Sequence, residues 1–293
     1  TVDGSKSIVY NRDKPRNPVD DTLDAQIVQD AARFLNDGEK MQLDYAVQNT
    51  LRTIGTRTSS HIVQKFGMRN NLQHDHLTVK LRGSAGQSLG AFAAPGLKLE
   101  VSGDANDYVG KGLSGGLIVV HPPMSSPLVA SENTIIGNTV LYGATAGYLF
   151  AAGRAGERFA VRNSGASVVI EGCGTNGCEY MTGGVAVILG SIGANFGAGM
   201  TGGMAYLYDP KGETADLINM ETLVTCPVTV AHWEEQLLAL VTRHHAESGS
   251  VKAAAILQDW DAEKANFVQV CPKEMLIHLK HPLSVEKAAI PAE

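Results

Sequence analysis

Glycine recurs at nearly regular intervals through the middle of this 293-residue chain, and this spacing restricts the fold more than any other feature. Of the 32 glycines, 26 lie between Gly83 and Gly203. Short apolar runs such as LIVV (117–120), SVVI (167–170) and MAYLY (204–208) follow glycines in a common frame, which are Gly90, Gly116, Gly147, Gly165, Gly184 and Gly203. The last three intervals are 18, 19 and 19 residues. A fixed period of this kind indicates a structural repeat.

A repeat of about 19 residues is too short for a strand–helix–strand unit, which needs about 30 residues. It suits one turn of a solenoid, in which each strand bonds to the equivalent strand of the next turn. Charged residues are sparse between positions 83 and 203, with 5 Lys or Arg and 7 Asp or Glu, as a stacked apolar core requires. A flexible glycine-rich linker would lack the apolar runs. We therefore predict a mainly β fold built around a parallel β-helix.

Three regions follow from this pattern: a mixed α/β lead-in at 1–76, the glycine-rich β-helix at 77–209 and a helical extension at 210–293. In the lead-in, apolar spacing predicts a helix over 23–38, a strand in MQLDYAV and a second helix from Ser59 to Phe66. In the extension it predicts helices over 230–249 and 250–267 and then an irregular tail. We expect these helices to cover one end or one flank of the solenoid, because a repeat stack needs a cap.

Composition narrows the possible partners and compartment. A net charge of −6 disfavours a nucleic-acid surface. The chain has no apolar run of about 18 residues that could span a membrane, and its start has no apolar segment typical of a signal peptide. We therefore expect a cytoplasmic protein. Its four cysteines, Cys173, Cys178, Cys226 and Cys271, are too few for a disulfide scaffold and are expected to be buried, inert thiols rather than metal ligands.

Two glycine motifs resemble catalytic signatures but fall within the repeat frame. G-Q-S-L-G at 86–90 would make Ser88 a hydrolase nucleophile, with Asp107 and His121 as partners, yet no helix is expected to follow it. G-K-G-L-S-G at 110–115 would bind a dinucleotide only if a helix followed, and the next residues predict a strand. Residues 109–111 do not match a phosphate-binding loop, because Gly112 stands where that motif requires Ser or Thr.

The remaining polar clusters have structural explanations as well. His74-Asp75-His76 could hold a metal with Asp107 or Glu179, but an exposed polar strand edge is the simpler interpretation. We interpret His244-His245 as a pair at the C-terminal end of a predicted helix, where the helix dipole favours positive charge. Corner and ladder hydrogen bonding is predicted for residues 106–108 and 157–158. We assign no catalytic, cofactor-binding or metal-binding residue from the sequence.

Longer strings carry a more specific signal than these motifs. GSAGQSLGAF, GDANDYVGKGLSGG, IIGNTVLYGATAG, AGERFAVRNSGA, GCEYMTGG and NFGAGMTGGMAYLYD together resemble the C-terminal glycine-repeat (GXGXG) domain of the glutamate synthase large subunit. The resemblance is dense over residues 40–209. It implies a right-handed β-helix that acts as a structural, interdomain scaffold and has no catalytic activity by itself.

The resemblance also implies what surrounds such a domain. The whole enzyme is an oxidoreductase of nitrogen assimilation, which forms glutamate from glutamine and 2-oxoglutarate. Its amidotransferase and FMN-binding synthase domains carry the chemistry, and the FMN and the iron–sulfur cluster belong to those other domains. The expected partners are these domains and a small electron-donating subunit, whereas no nucleic acid or membrane is expected.

This sequence departs from the family pattern at one corner. Thr175-Asn176 stand where the family leads us to expect Asp-His, and Cys173 replaces an aliphatic residue. Two alternatives to the scaffold remain open at this point. The β-helix could hold its own active site, although its acidic residues form no repeated row. The chain could also be a free-standing assembly or regulatory subunit, like the repeat subunit of formylmethanofuran dehydrogenase.

Overall fold

The structure is a computed structural model that describes residues 21–284. Its helices are α1 (Leu23–Asp30), α2 (Ala32–Asp37), α3 (Thr56–Phe66), α4 (Ala231–Ser248), α5 (Val251–Gln258) and α6 (Trp260–Glu263). Its strands are β1 (Met41–Val47), β2 (Leu77–Ala85), β3 (Leu97–Ala105), β4 (Ser114–His121), β5 (Thr134–Ile136), β6 (Ala146–Ala151), β7 (Arg154–Ala155), β8 (Ser164–Ile170), β9 (Thr182–Ile188), β10 (Gly202–Tyr208), β11 (Leu223–Pro227) and β12 (Phe267–Pro272). Short 3₁₀ turns cover Ala130–Glu132, Ala215–Leu217, Lys264–Asn266 and Lys273–Ile277.

Ten of the strands form one continuous path of hydrogen-bonded neighbours. The order is β1-β2-β3-β4-β6-β8-β9-β10-β12-β11, and β5 and β7 pair beside it. Every neighbouring pair from β1 to β10 is parallel, whereas β12 pairs antiparallel with both β10 and β11. The fold is therefore mainly β, with a mostly parallel sheet.

The register of this sheet reproduces the repeat seen in the sequence. Tyr148 pairs with Ser167, Ser167 with Val185, and Val185 with Met204, which are separations of 19, 18 and 19 residues. The step from Leu117 to Tyr148 is longer, at 31 residues, because residues 122–133 form an additional loop. Equivalent residues of successive repeats thus lie side by side.

Both faces of the central strands are buried, and this explains why their sequences are continuously apolar. One set of alternate side chains, which includes Leu99, Ile118 and Val168, packs into the main core together with residues from the connections between strands. The opposite set, which includes Phe150 and Val187, packs against α4 and α5. The C-terminal helices therefore cover a flank of the sheet, one of the two positions that the sequence left open.

The N-terminal helices α1, α2 and α3 pack on the main core at the β1 end of the sheet. Ile27, Phe34 and Ile62 from α1, α2 and α3 are fully buried in the same cluster as the first strands. β1 is the edge strand of the sheet, and Met41 to Val47 pair with β2 throughout. The sheet thus begins inside the region that the sequence described as a lead-in.

Most elements predicted from the sequence are confirmed, with four corrections. The helix predicted over 250–267 ends early, because α5 stops at Gln258 and only the short helix α6 and a 3₁₀ turn precede β12. The first helix is interrupted at Ala31, so that two shorter helices replace it. Gly90 was counted among the glycines that precede strands, but the segment AFAA after it is a turn, because Gly90 lies within a connection at a φ of 65°. The C-terminal tail is not wholly irregular, since β12 pairs with β10, and the unpredicted strand β11, which precedes α4, completes the sheet. The predicted domain boundaries stay predictions.

Candidate functional site

The connections between successive parallel strands share a backbone pattern in which three alternate residues have a left-handed φ, between 52° and 73°. The first such position is occupied by Ser88, Tyr108, Thr139, Arg158, Asn176 and Asn195. The second is occupied by Gly90, Gly110, Leu141, Ala160, Cys178 and Gly197. The third is occupied by Phe92, Gly112, Gly143, Arg162, Tyr180 and Gly199. We refer to these six stretches as the corner segments.

Backbone hydrogen bonds join each corner segment to its neighbours. At the first position the amide donates to the following segment, as Tyr108 N does to Asn138 O at 2.9 Å. At the second it donates to the preceding segment, as Gly110 N does to Leu89 O at 2.9 Å. The amides at the first and second left-handed positions therefore point to opposite neighbouring segments. These bonds pair backbone groups that would otherwise be buried in the connections without a partner.

Twelve of these eighteen left-handed positions are not glycine, which costs about 1–2 kcal/mol for each ordinary residue. Such a conformation persists only where surrounding bonds determine it. The inter-segment ladder supplies those bonds. The corner segments are thus a specific structural device, and G-x-G-x-G is the pattern in which all three left-handed positions would be free of strain.

The two catalytic-looking motifs lie within this device. Ser88 occupies a first position, and turns follow it rather than a helix. The glycines at 110 and 112 occupy a second and a third position, and β4 begins at Ser114. Asp107 Oδ1 accepts from Asn138 N at 2.8 Å, and His121 Nδ1 lies 2.9 Å from Pro122 O. Neither motif has the strand–turn–helix context that its chemistry requires.

His74-Asp75-His76 contacts the backbone and a lysine. Lys40 Nζ donates to Asp75 Oδ2 at 2.7 Å, and this bond holds the pKa of the Asp75 carboxyl below its usual value. His76 Nε2 lies 2.8 Å from Gly38 O, and His74 Nδ1 lies 3.3 Å from Gly115 O. Across residues 21–284, no group of three or more His, Cys, Asp or Glu side chains is placed to hold a metal ion.

The predicted burial of the cysteines is confirmed for three of the four, whereas Cys226 is only partly buried. Cys173 and Cys178 are free thiols with no exposed surface, and Cys271 is also buried. Burial raises the pKa of Cys173 to about 12 and that of Cys271 to about 11. Because the thiolate is the reactive and metal-binding form, these groups are unsuited to either role at neutral pH.

The corner that departs from the family pattern forms a ladder of like side chains. Asn195 Nδ2 donates to Asn176 Oδ1 at 2.8 Å, and Asn219 Nδ2 donates to Asn195 Oδ1 at 2.9 Å. The predicted corner bonding at 157–158 is also present, since Glu157 N donates to Asn138 Oδ1 at 2.8 Å and Arg158 Nε donates to Glu179 Oε2 at 2.9 Å. These polar groups stabilise the corner.

One buried polar group was not found from the sequence. His244 was interpreted as part of a pair that a helix C-terminal dipole favours, but its side chain is fully buried and its Nε2 lies 3.7 Å from Oε1 of Glu171, which is 1% exposed. Burial lowers the pKa of His244. Ser250 Oγ donates to Glu171 Oε1 as well. Helix α4 packs on the sheet, so His244, near the C-terminal end of the helix, meets Glu171 directly after β8.

The parallel sheet and the stacked left-handed positions together define a glycine-repeat β domain. This chain belongs to the GXGXG motif family, which matches residues 24–273. Within the described residues, no helix combines the length and apolar character needed to cross a bilayer.

Curated relatives place this repeat within a larger protein. The chain is 61% identical over 287 residues to the glutamate synthase [NADPH] large chain of Azospirillum brasilense, covering 98% of this chain and 19% of that protein. It is 47% identical to glutamate synthase [NADH] of Schizosaccharomyces pombe, over 90% of this chain and 12% of that protein. It is 48% identical to ferredoxin-dependent glutamate synthase 2 of Synechocystis, over 86% of this chain and 16% of that protein. The chain thus spans less than a fifth of these relatives, and the family resemblance drawn from its sequence is confirmed.

Proposed function

We propose that this chain is the structural repeat domain of a glutamate synthase and supports the arrangement of catalytic domains without performing chemistry of its own. One observation carries the proposal: 61% identity extends over 98% of this chain but covers only 19% of the related large chain. The enzyme's reaction, glutamate formation from glutamine and 2-oxoglutarate, is accordingly assigned to the whole protein. The relatives' names include NADPH, NADH and ferredoxin, so the electron donor is left open.

We propose further that the stack is a right-handed parallel β-helix. Its support is the uniform parallel pairing from β1 to β10 and the recurring step of 18 or 19 residues. Crossovers between parallel strands are right-handed in about 98% of cases. The hydrogen-bonded corner segments then run along one edge of the stack.

The bonding partners of the acidic side chains support the proposal that this domain catalyses no reaction. Glu100 lies 3.2 Å from Lys98, Ser84 donates to Asp104, and Asp107 accepts from a backbone amide. These acidic groups stabilise their surroundings and do not face one another as an acid–base pair would. FMN, the iron–sulfur cluster and glutamine hydrolysis are therefore assigned to the amidotransferase and synthase domains.

Expression and purification of this chain tests the assignment. It should show no flavin absorbance and no release of ammonia from glutamine. Flavin that copurifies in stoichiometric amount, or glutaminase activity that survives purification to homogeneity, would overturn the proposal.

A further inference from the structure

The exposed aromatic rings of this protein lie along the corner segments. Within residues 21–284 the most exposed Phe, Tyr and Trp side chains are Phe92, Tyr108, Tyr142 and Tyr180, which are 39–55% exposed. Phe92 and Tyr180 occupy third positions, Tyr108 occupies a first position, and Tyr142 directly precedes a third-position glycine. Aromatic residues are enriched at protein–protein interfaces, and tyrosine is frequent among the residues that dominate binding. Their placement along one edge of the stack therefore indicates an interaction surface.

Backbone packing holds two of these rings in place. A Cβ added at Gly112 would overlap the ring of Phe92, and a Cβ added at Gly199 would overlap the ring of Tyr180. Each ring thus lies over the third-position glycine of the following segment. A side chain that is already restrained loses little rotamer entropy when a partner binds. These rings are therefore preorganised for contact.

A groove of about 520 Å³ lies on this edge, between Tyr142 and Tyr180. Arg162, which belongs to the corner segment between theirs, also lines it. The remaining lining residues are Gly143, Ser164, Thr182, Gly199 and Thr201. They belong to corner segments or lie at the starts of the following strands, so no other element of residues 21–284 covers the groove.

The charge that lines this groove is positive. Arg162 is its one charged lining residue, and its guanidinium lies 5.8 Å from the centre of the Tyr180 ring. The nearby carboxylate of Glu179 pairs with Arg158 instead, at 2.9 Å. Among residues 21–284 no carboxylate oxygen lies within 4.0 Å of the Arg162 guanidinium. The groove therefore offers a cation that an acidic group of a partner can pair with.

Hydroxyl groups add further donors to the groove. Thr182 and Thr201 are exposed, and their hydroxyls form no hydrogen bond within residues 21–284. Ser164 differs, because its hydroxyl already donates to Ala144 O at 3.0 Å. A groove that combines one guanidinium with free hydroxyls suits a partner rich in hydrogen-bond acceptors.

Other parts of the stack are already covered by this chain. Helices α4 and α5 pack on the outer face of the sheet, α1 to α3 pack at the β1 end, and antiparallel strands follow β10. The chain also spans only 19% of the related large chain of Azospirillum brasilense. The uncovered corner edge is therefore the surface that remains for the rest of such a protein.

We propose that this groove is the docking site of an acidic loop from another domain of the same large chain. An Asp or Glu side chain of the loop accepts two hydrogen bonds from the guanidinium of Arg162, the paired geometry that arginine and carboxylate favour. Carbonyl oxygens of the loop accept from Thr182 and Thr201, and its apolar atoms lie against Tyr142 and Tyr180. The inference rests on the proposed function, because it takes the partner from the remainder of the large chain.

Site-specific photo-crosslinking in the proposed full-length glutamate synthase tests this docking. The photoreactive residue p-benzoylphenylalanine replaces Tyr142 in one variant and Thr201 in a second, and mass spectrometry identifies the crosslinked peptides. Both variants should label one segment outside residues 1–293 that contains Asp or Glu. The same probe at Val251, an 82% exposed residue of α5, is the control and should not label that segment.

Arg162→Gln in the same full-length protein tests the ion pair. Loss of the pair should raise the hydrogen–deuterium exchange rate of the labelled segment by about tenfold or more, because the docked loop opens more often. Arg82→Gln is the matched control, since Arg82 is an exposed arginine that pairs with Asp44 on β1, and it should leave that exchange rate unchanged. The thermal unfolding midpoint checks that both variants stay folded.

Three results would overturn the docking proposal. They are crosslinks confined to residues 1–293, whether within one copy or between two, a labelled segment without Asp or Glu, and an unchanged exchange rate in a folded Arg162→Gln protein. None of them bears on the scaffold assignment, which flavin absorbance and glutaminase activity of this chain decide separately.

Discussion

Individual residues in the corner segments pay a conformational cost, and it is highest where the side chain is β-branched. Thr139 occupies a first position with φ of 58°. A branched Cβ crowds the backbone in this region, whereas asparagine tolerates it. Thr139→Asn should therefore raise the free energy of unfolding by about 1 kcal/mol, measured by chemical denaturation.

The control is Thr134→Asn, at an exposed position of β5 that has no left-handed φ. It should give no gain. Equal stabilisation by both substitutions would show that backbone strain at Thr139 is not the cause.

Gly184 combines a left-handed φ of 84° with close packing. An added Cβ would meet the carbonyl oxygen of Ala166 and lie 2.8 Å from Asn163 Nδ2. Gly184→Ala should lower stability by about 3 kcal/mol or more, because strain and overlap add. Gly143 has a similar φ of 65° but open space around it, so Gly143→Ala should cost only about 1 kcal/mol. Thermal unfolding of both variants measures the difference, and equal losses would contradict the packing argument.

His244 predicts a pH dependence of stability. Burial lowers its pKa in the folded protein, with Glu171 and His245 as the neighbouring titratable groups, so the unfolded chain binds a proton that the folded one resists. Stability should therefore be full above the unfolded pKa of about 6.5 and decline as pH falls below it, by at most about 1.4 kcal/mol per pH unit. Denaturation at several pH values should show a shallower decline for His244→Gln. An identical profile for the variant would count against a neutral buried imidazole.

At the residue scale, the sequence indicates which glycines adopt a left-handed φ better than it indicates which other residues do. Tyr108 and Arg158 give no sign of a left-handed φ, because that conformation is imposed by the ladder of neighbouring segments. Glu171 and His244 lie 73 residues apart, and only the packing of α4 on the sheet brings them together. No local pattern could have joined them.

At the scale of elements, apolar runs located the central strands because both faces of those strands are buried. β11 and β12 were missed, since LVTCP and FVQVCP are short and lie in a region already interpreted as a helical extension. Their antiparallel pairing depends on contacts with β10 that lie far away in sequence. The position of α4 on a flank also depends on tertiary packing.

Helix α4 covers the outer face of the sheet, and substitution of a buried residue in this helix tests that packing. Leu237 is fully buried in the cluster that includes Phe150 and Val187. Leu237→Ala should lower the free energy of unfolding by about 2–4 kcal/mol, because it leaves a cavity against the sheet. Glu235→Ala, on the exposed side of the same helix, should change it by less than about 0.5 kcal/mol. Similar effects of the two substitutions in chemical denaturation would contradict this packing.

At the scale of the whole molecule, the repeat makes a long, continuous core whose two extremities are covered differently. Helices α1 to α3 lie at the β1 end, and antiparallel strands β12 and β11 end the sheet after β10. The sequence predicted the repeat and its parallel strands, but not how the sheet ends. Backbone hydrogen bonds between neighbouring strands and neighbouring corner segments set the shape of this stack.

The central claim is that chemistry lies outside this domain even where its motifs resemble active sites. The most direct measurement is the rate of glutamate formation by the proposed full-length glutamate synthase carrying Ser88→Ala, normalised to folded protein. We expect a rate within about twofold of wild type, as for a substitution remote from any reacting group. A loss on the order of a thousandfold or more, as expected when a nucleophile is removed, would contradict it.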